Sequence, residues 1–367
     1  MQKTLLLVGV FFIFSCSHSD DLDGLNTISD TENMLITENE ENQNQSFRDK
    51  ESILNYFELL IDGKKIIVGQ QCGNTPTETA DMYEKHVESL AIETGKYVGL
   101  MGADFGWSSE DDYPVETLID HWNNGGLVTA SWHADNPFVD GVDVYWDMVN
   151  DQEKIDLTAL LKGAEQTVEW TNYRNDLDRT ARALQKLQSA GVTVIWRPFH
   201  EMNGNFFWWG ANSNDNTQTN ESDFIAFWID LYETLRWDYG LENLIWVYSV
   251  VPSETWYAEV TAFYPGDTYV DVVGMDYYGK QPDFPHYDAL HSLGKPLVIS
   301  ESGPKDGGEG NWDMLEWANL LKGKAAYFLQ WHNWNNNKVA IGDNENTFEL
   351  MNDVDVITRD ELMSIAL

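Results

Sequence analysis

The chain has 367 residues, enough to bury a large core as one big domain or two. Its 61 acidic against 22 basic residues give a formal net charge of −39. That charge disfavours nucleic acid, anionic membrane surfaces and anionic polymers as direct partners, and favours a neutral ligand, although it also serves solubility.

The opening stretch, "MQKTLLLVGVFFIFSC", places Lys3 before an apolar run from Leu5 to Phe14, which Ser15 and Cys16 follow. A run this short is the core of a signal peptide and is too short to span a membrane. It resembles a bacterial lipoprotein signal, with residues 1–15 removed and Cys16 lipidated, although Phe14 stands where such signals usually have a small residue. An ordinary secretory signal ending near Ser15 to Ser19 is the alternative. Residues 17–46 hold eight acids and no Lys or Arg. A segment so poor in apolar side chains cannot order itself, so residues 16–50 read as an acidic tether. The stretch "SHSDDLD" resembles the surface-export signal of Bacteroidetes lipoproteins. The expected location is therefore the outer membrane, held only by the N-terminal lipid. With Cys16 lipidated, Cys72 has no partner for a disulfide and is expected to pack as a small apolar residue.

From residue 51 to 367 the pattern is that of one folded domain. Eight apolar runs rich in Val and Ile recur, at 66–71, 97–105, 127–133, 192–201, 244–250, 270–278, 296–303 and 325–333. Continuous runs of this length suit strands covered on both faces, as in a parallel sheet. Segments of helical period lie between them. Residues 78–95 start beside Thr77, a candidate N-cap, and stop at Gly95. Residues 221–240 align Phe224, Phe227, Trp228, Leu231 and Leu235 on one stripe. The alternation predicts an α/β fold, a (β/α)8 TIM barrel, which takes about 250 residues or more. A doubly wound open sheet is the alternative, but "GQQCGNTP" lacks the glycine-rich turn it would want. Residues 134–180 read as an extended loop plus helices, and the Asn-rich 211–220 as an exposed loop.

In such a barrel the chemistry belongs at the C-terminal ends of the strands. Polar residues gather there: Trp132 and His133 on the third strand, Arg197, His200 and Glu201 on the fourth, and Asp276, Tyr277 and Tyr278 on the sixth. Glu301 ends the seventh, and Trp331 and His332 the eighth. One such residue alone is most often a solvated cap or loop anchor; five strands delivering them to one rim is harder to dismiss. Glu201 and Glu301 could form the carboxyl pair that glycosidic bond hydrolysis requires, one protonated and one ionised. Apolar surroundings such as Phe206, Phe207, Trp208 and Trp209, together with a negative neighbour, would keep Glu201 protonated. Arg197 or Tyr278 would keep Glu301 ionised. A helix-capping or Lys-paired Glu301 is the bland alternative.

The block "RPFHEMNGNFFWWG" resembles the acid/base signature of glycoside hydrolase family 26, best known for β-mannanases. "ESG" at 301–303 and "SWH" at 131–133 fall where that family's nucleophile and a substrate-contacting His are expected. The resemblance spans nearly all of residues 60–350. It implies a retaining hydrolase of β-1,4-mannosidic linkages, endo-acting or exo-acting, with Glu201 as acid/base and Glu301 as nucleophile. It also implies a sugar surrounded by His133, Arg197, His200, Tyr278 and Trp331, with Phe206 at the leaving-group subsite. The family often has Trp at Phe206, and Phe keeps the apolar platform while losing an N–H donor.

Sixteen Trp exceed what a core needs. Trp107, Trp132, Trp208, Trp209, Trp331 and Trp334 follow strand ends and offer ring faces to a pyranose, with Trp132 counted among the substrate contacts. Trp228 and Trp246 read as core. No metal-ligand spacing occurs and no cofactor is expected. The expected partner is a neutral β-linked polysaccharide met by a monomer. The alternatives are the same chemistry on β-1,4-xylan or mixed-linkage β-glucan, or a surface glycan-binding lipoprotein that does not cut.

Overall fold

A computed structural model describes residues 48–107, 113–149, 154–211, 219–253 and 257–365. Cys16 and most of the Asn-rich stretch lie outside them. The eight expected strands are β1 (Ile66–Gln71), β2 (Leu100–Asp104), β3 (Leu127–Trp132), β4 (Val194–Pro198), β5 (Leu244–Val250), β6 (Val272–Gly279), β7 (Leu297–Pro304) and β8 (Tyr327–Gln330). Each pairs in parallel with the next, and β1 pairs with both β2 and β8, so the sheet closes into a (β/α)8 barrel. A short ninth strand, β9 (Val356–Ile357), adds to β1 from outside the predicted set.

Seven of the eight barrel strands are buried at every position, because side chains fill the barrel on one face and helices cover the other. Only β6 emerges, at its last three residues. Gly69 shows how tight the closure is: a Cβ there would lie 2.9 Å from the Phe328 carbonyl oxygen.

The helix expected from residue 78 begins at Pro76. Its cap is Thr75 rather than Thr77, because Pro at the first helical position fixes the start and leaves the extended Thr75 to accept from the Glu78 N–H. It closes as expected on Gly95, whose φ of 81° only glycine adopts at ease. Both long helical patterns contain a π-turn, the first at its middle, Glu84–Glu88, and the second at its end, Thr234–Asp238. The apolar stripe of Phe224, Phe227, Trp228, Leu231 and Leu235 is wholly buried, as are Trp246 and Cys72. Burial pushes the Cys72 thiol far up, so it stays protonated. Among the described residues no helix is long and apolar enough to cross a membrane.

Candidate active site

Strand register decides which side chains enter the barrel mouth. Asp104 pairs with Ser131, Ser131 with Arg197, and Asp276 with Glu301. Side chains alternate along each strand, so residues paired at one level share a face. The β6–β7 register shifts between Met275 and Asp276, and the β7–β8 register between Ile299 and Ser302. Such irregularities re-aim side chains, here on both flanks of Glu301.

Arg197 is 1% exposed and clasps two carboxylates. Its Nη1 donates to Asp276 Oδ2 at 2.6 Å and its Nη2 to Glu301 Oε2 at 2.5 Å. The other Glu301 oxygen, Oε1, accepts from the Tyr278 hydroxyl at 2.7 Å. Burial and the Glu301 charge hold the Tyr278 phenol well above its ordinary range, so it keeps the proton it donates. The Ser300 hydroxyl donates to Asp276 Oδ1 at 2.8 Å and lies 2.7 Å from the Ser249 hydroxyl. Both neighbours foreseen for Glu301 thus hold it at once.

Glu201 sits on a strained turn. Phe199 (φ 44°) and Glu201 (φ 57°) adopt left-handed backbone that L-residues avoid, a cost met most often at functional sites. The turn is fixed from β5: the Glu201 N–H donates to the Ser249 carbonyl at 2.8 Å. Buried Asn203 exchanges two hydrogen bonds with Val251, at 2.8 and 3.0 Å. Burial, then Asp276, then Glu301 raise the Glu201 pKa well above the carboxylate range, against the weaker pull of Arg197 and Lys305. Glu201 is therefore the carboxyl whose surroundings favour the protonated form, beside a partner held by a cation and a phenol.

A second buried chain crosses the mouth from β2 to β4. Asp104 Oδ2 lies 2.7 Å from His133 Nδ1 and accepts the Ser131 hydroxyl, and His133 Nε2 lies 3.0 Å from His200 Nε2. Burial alone would raise Asp104, but its pairing with His133 and the bond from the Ser131 hydroxyl outweigh it and lower its pKa. Burial, Arg197 and His133 push His200 well below its usual value, leaving it neutral. Asp104, Ser131 and Ser300 were missed by sequence reasoning. Asp104 carried the same signal as Glu301, a carboxylate closing an apolar strand.

The aromatics divide. Phe206 and Trp331 are half-buried at the rim; Trp331 stacks on His332 at 5.2 Å, and Tyr278 meets Trp334 edge-on at 5.6 Å. Trp132 is not a substrate contact. It follows Ser131, so alternation turns it outward, where it is fully buried against Tyr173, Trp196 and Phe199. Trp208 and Trp209 are also fully buried. Their indoles donate to the Ala134 and His200 carbonyls, bracing the backbone just after His133 and at His200.

Among the described residues, His200, Asp276 and Glu301 bring ligand-type atoms within 4.8 Å of one another. Arg197 already bonds both carboxylates, and its charge opposes a second cation there.

Residues 42–361 match the profile of glycosyl hydrolase family 26. The chain is 35% identical over 283 residues to mannan endo-1,4-beta-mannosidase A and B of Caldalkalibacillus mannanilyticus, covering 73% of this chain and 53% of that protein. It is 34% identical over 275 residues to mannan endo-1,4-beta-mannosidase of Bacillus subtilis strain 168, covering 71% and 72%. The solved structure of Bacillus subtilis mannanase BCman superposes with a TM-score of 0.71 at 27% identity, covering 85% of this chain and 93% of that one. The chain thus spans about half the length of the first of these relatives and most of the other two. A profile match over most of the chain, joined to a barrel whose mouth holds Glu201 and an arginine-clasped Glu301, places it plainly: the chain belongs to glycosyl hydrolase family 26.

Proposed function

We propose that this chain hydrolyses β-1,4-mannosidic linkages in mannan, glucomannan or galactomannan by double displacement. Glu301 attacks the anomeric carbon while Glu201 gives its proton to the departing glycosidic oxygen. Glu201, now ionised, takes a proton from water, which attacks the same carbon and releases Glu301. Arg197 and Tyr278 fix both Glu301 oxygens, so the nucleophile cannot rotate away. Neutral His200 stands ready to hydrogen-bond a sugar hydroxyl beside it.

The observation that carries this reading is the contrast in surroundings between Glu201, on its strained turn beside two carboxylates that favour its proton, and Glu301, clasped by a guanidinium and a phenol. A module that only binds sugar needs no such contrast. Reducing-sugar release on mannan, xylan and barley β-glucan, run side by side, tests it. The expected outcome is mannan well ahead, and a preference for either other polymer would overturn the choice of substrate.

The mature chain is further proposed to work as a monomer, anchored at the bacterial outer membrane by lipid on Cys16. Incorporation of labelled palmitate, lost in Cys16→Ala, is the expected result.

A further inference from the structure

Just past β2, Trp107 holds a left-handed φ of 57°, unusual for so bulky a residue. The residue before it explains how it arrives there. A Cβ on Gly106 would lie 2.3 Å from the His133 carbonyl oxygen, so only glycine lets the β2 exit run this close to the β3 exit. The next side chain is thereby thrown over the His133 ring, 5.1 Å between centroids, yet Trp107 remains 37% exposed.

A second ring meets it from the loop after β3. Tyr145 is 40% exposed and lies 5.7 Å from Trp107. Its position is fixed: Tyr145 bridges Phe207, the Trp146 N–H donates to the Phe206 carbonyl at 3.1 Å, and the Trp146 indole donates to the Asn205 carbonyl at 2.6 Å. Tyr145 lies nearly parallel to Phe207, at 19° and 6.0 Å, so Phe207 backs it. Phe207 in turn abuts both His133 and His200. Two aromatic rings are thus held in place but left partly in water, where they give the core little, against His133 and Phe207, which both abut the His200 that precedes Glu201.

We propose that Trp107 and Tyr145 form a further pyranose subsite, which grips a sugar of the same chain next to the reacting one. Their ring faces suit the C–H face of a neutral pyranose, and the site rests on the mannan-hydrolase reading above. Binding energy gathered at such a remote sugar is available to orient the reacting one, so longer chains should react faster than short ones.

The test compares kcat/KM of the wild-type enzyme, Trp107→Ala, Tyr145→Ala and Tyr145→Phe on mannohexaose and on a dinitrophenyl β-mannoside, which fills only the reacting subsite. The expected result is that each Ala variant loses about tenfold more on the hexaose than on the aryl mannoside, while Tyr145→Phe, which keeps the ring, tracks the wild type. Equal losses on both substrates, or no loss on the hexaose, would overturn the subsite and leave the hydrolase reading standing. A wild-type enzyme silent on both substrates would overturn both.

Discussion

Arg197 and Glu301 stand three strands apart in the barrel, yet a 2.5 Å bond joins them while the same guanidinium holds Asp276 at 2.6 Å. One cation therefore serves two buried carboxylates, with Glu201 sharing their field. The planar fork of arginine makes this possible, and a lysine ammonium cannot reach both in the same geometry. Arg197→Lys should lower kcat on mannan by about 100-fold, and should lower the unfolding temperature because a buried carboxylate loses its partner. Steady-state kinetics with a thermal scan checks this; a variant near wild type in kcat would remove the clasp from the mechanism.

Asp276 bears on the acid/base as well as on Arg197. Its charge is the second cause, after burial, of the raised Glu201 pKa, and burial with Glu301 pushes Asp276 itself up to about 7. Activity requires protonated Glu201, so kcat/KM falls as pH rises through the Glu201 pKa. Asp276→Asn removes a negative neighbour and leaves Arg197 in place, so the Glu201 pKa drops and the alkaline limb moves to lower pH. An unmoved limb, or one shifted upward, would count against Glu201 as the proton donor.

Asp104 touches no substrate in this account and acts through His133. Its oxygen at 2.7 Å from Nδ1 fixes where that ring carries its proton, and so how Nε2 meets His200. Asp104→Asn should cut kcat/KM about tenfold in the wild-type background and far less when His133 is already Ala. Strictly additive losses in that cycle would show that Asp104 works by another route.

Trp132 separates packing from binding. It fills the layer between the barrel and the helix Val168–Ser189, fully buried. Trp132→Ala should cost about 3–5 kcal/mol of stability, as large core truncations do. The milder Trp132→Phe should keep KM for mannohexaose within about twofold of wild type, since KM reports binding only where a side chain meets the sugar. A large rise in KM at unchanged stability would return Trp132 to the sugar site.

The barrel was legible because eight strands buried on both faces must be written as eight unbroken apolar runs. Glu201 and Glu301 stood out because five strands deliver polar residues to one rim and because "RPFHEMNGNFFWWG" and "ESG" resemble a known family's signature. The misreadings came from geometry that residue types do not encode. Trp132 and His133 are adjacent and look alike as strand-end residues, yet the two-residue period sends one outward and the other into the mouth. Asp104 showed only its type, because its value lies in His133, 29 positions away. Thr77 lost the helix cap to Thr75 because Pro76 starts the helix a turn's fraction earlier.

The central claim, that Glu301 is the nucleophile and Glu201 the proton donor, is tested most directly by trapping the covalent intermediate. A 2-deoxy-2-fluoro-mannosyl fluoride slows both displacements while its leaving group speeds the first, so the glycosyl-enzyme accumulates. Peptide mapping by mass spectrometry should place the label on Glu301, with none on Glu301→Gln. A label on Asp276 or Glu201, or turnover with inversion and no label, would contradict the account.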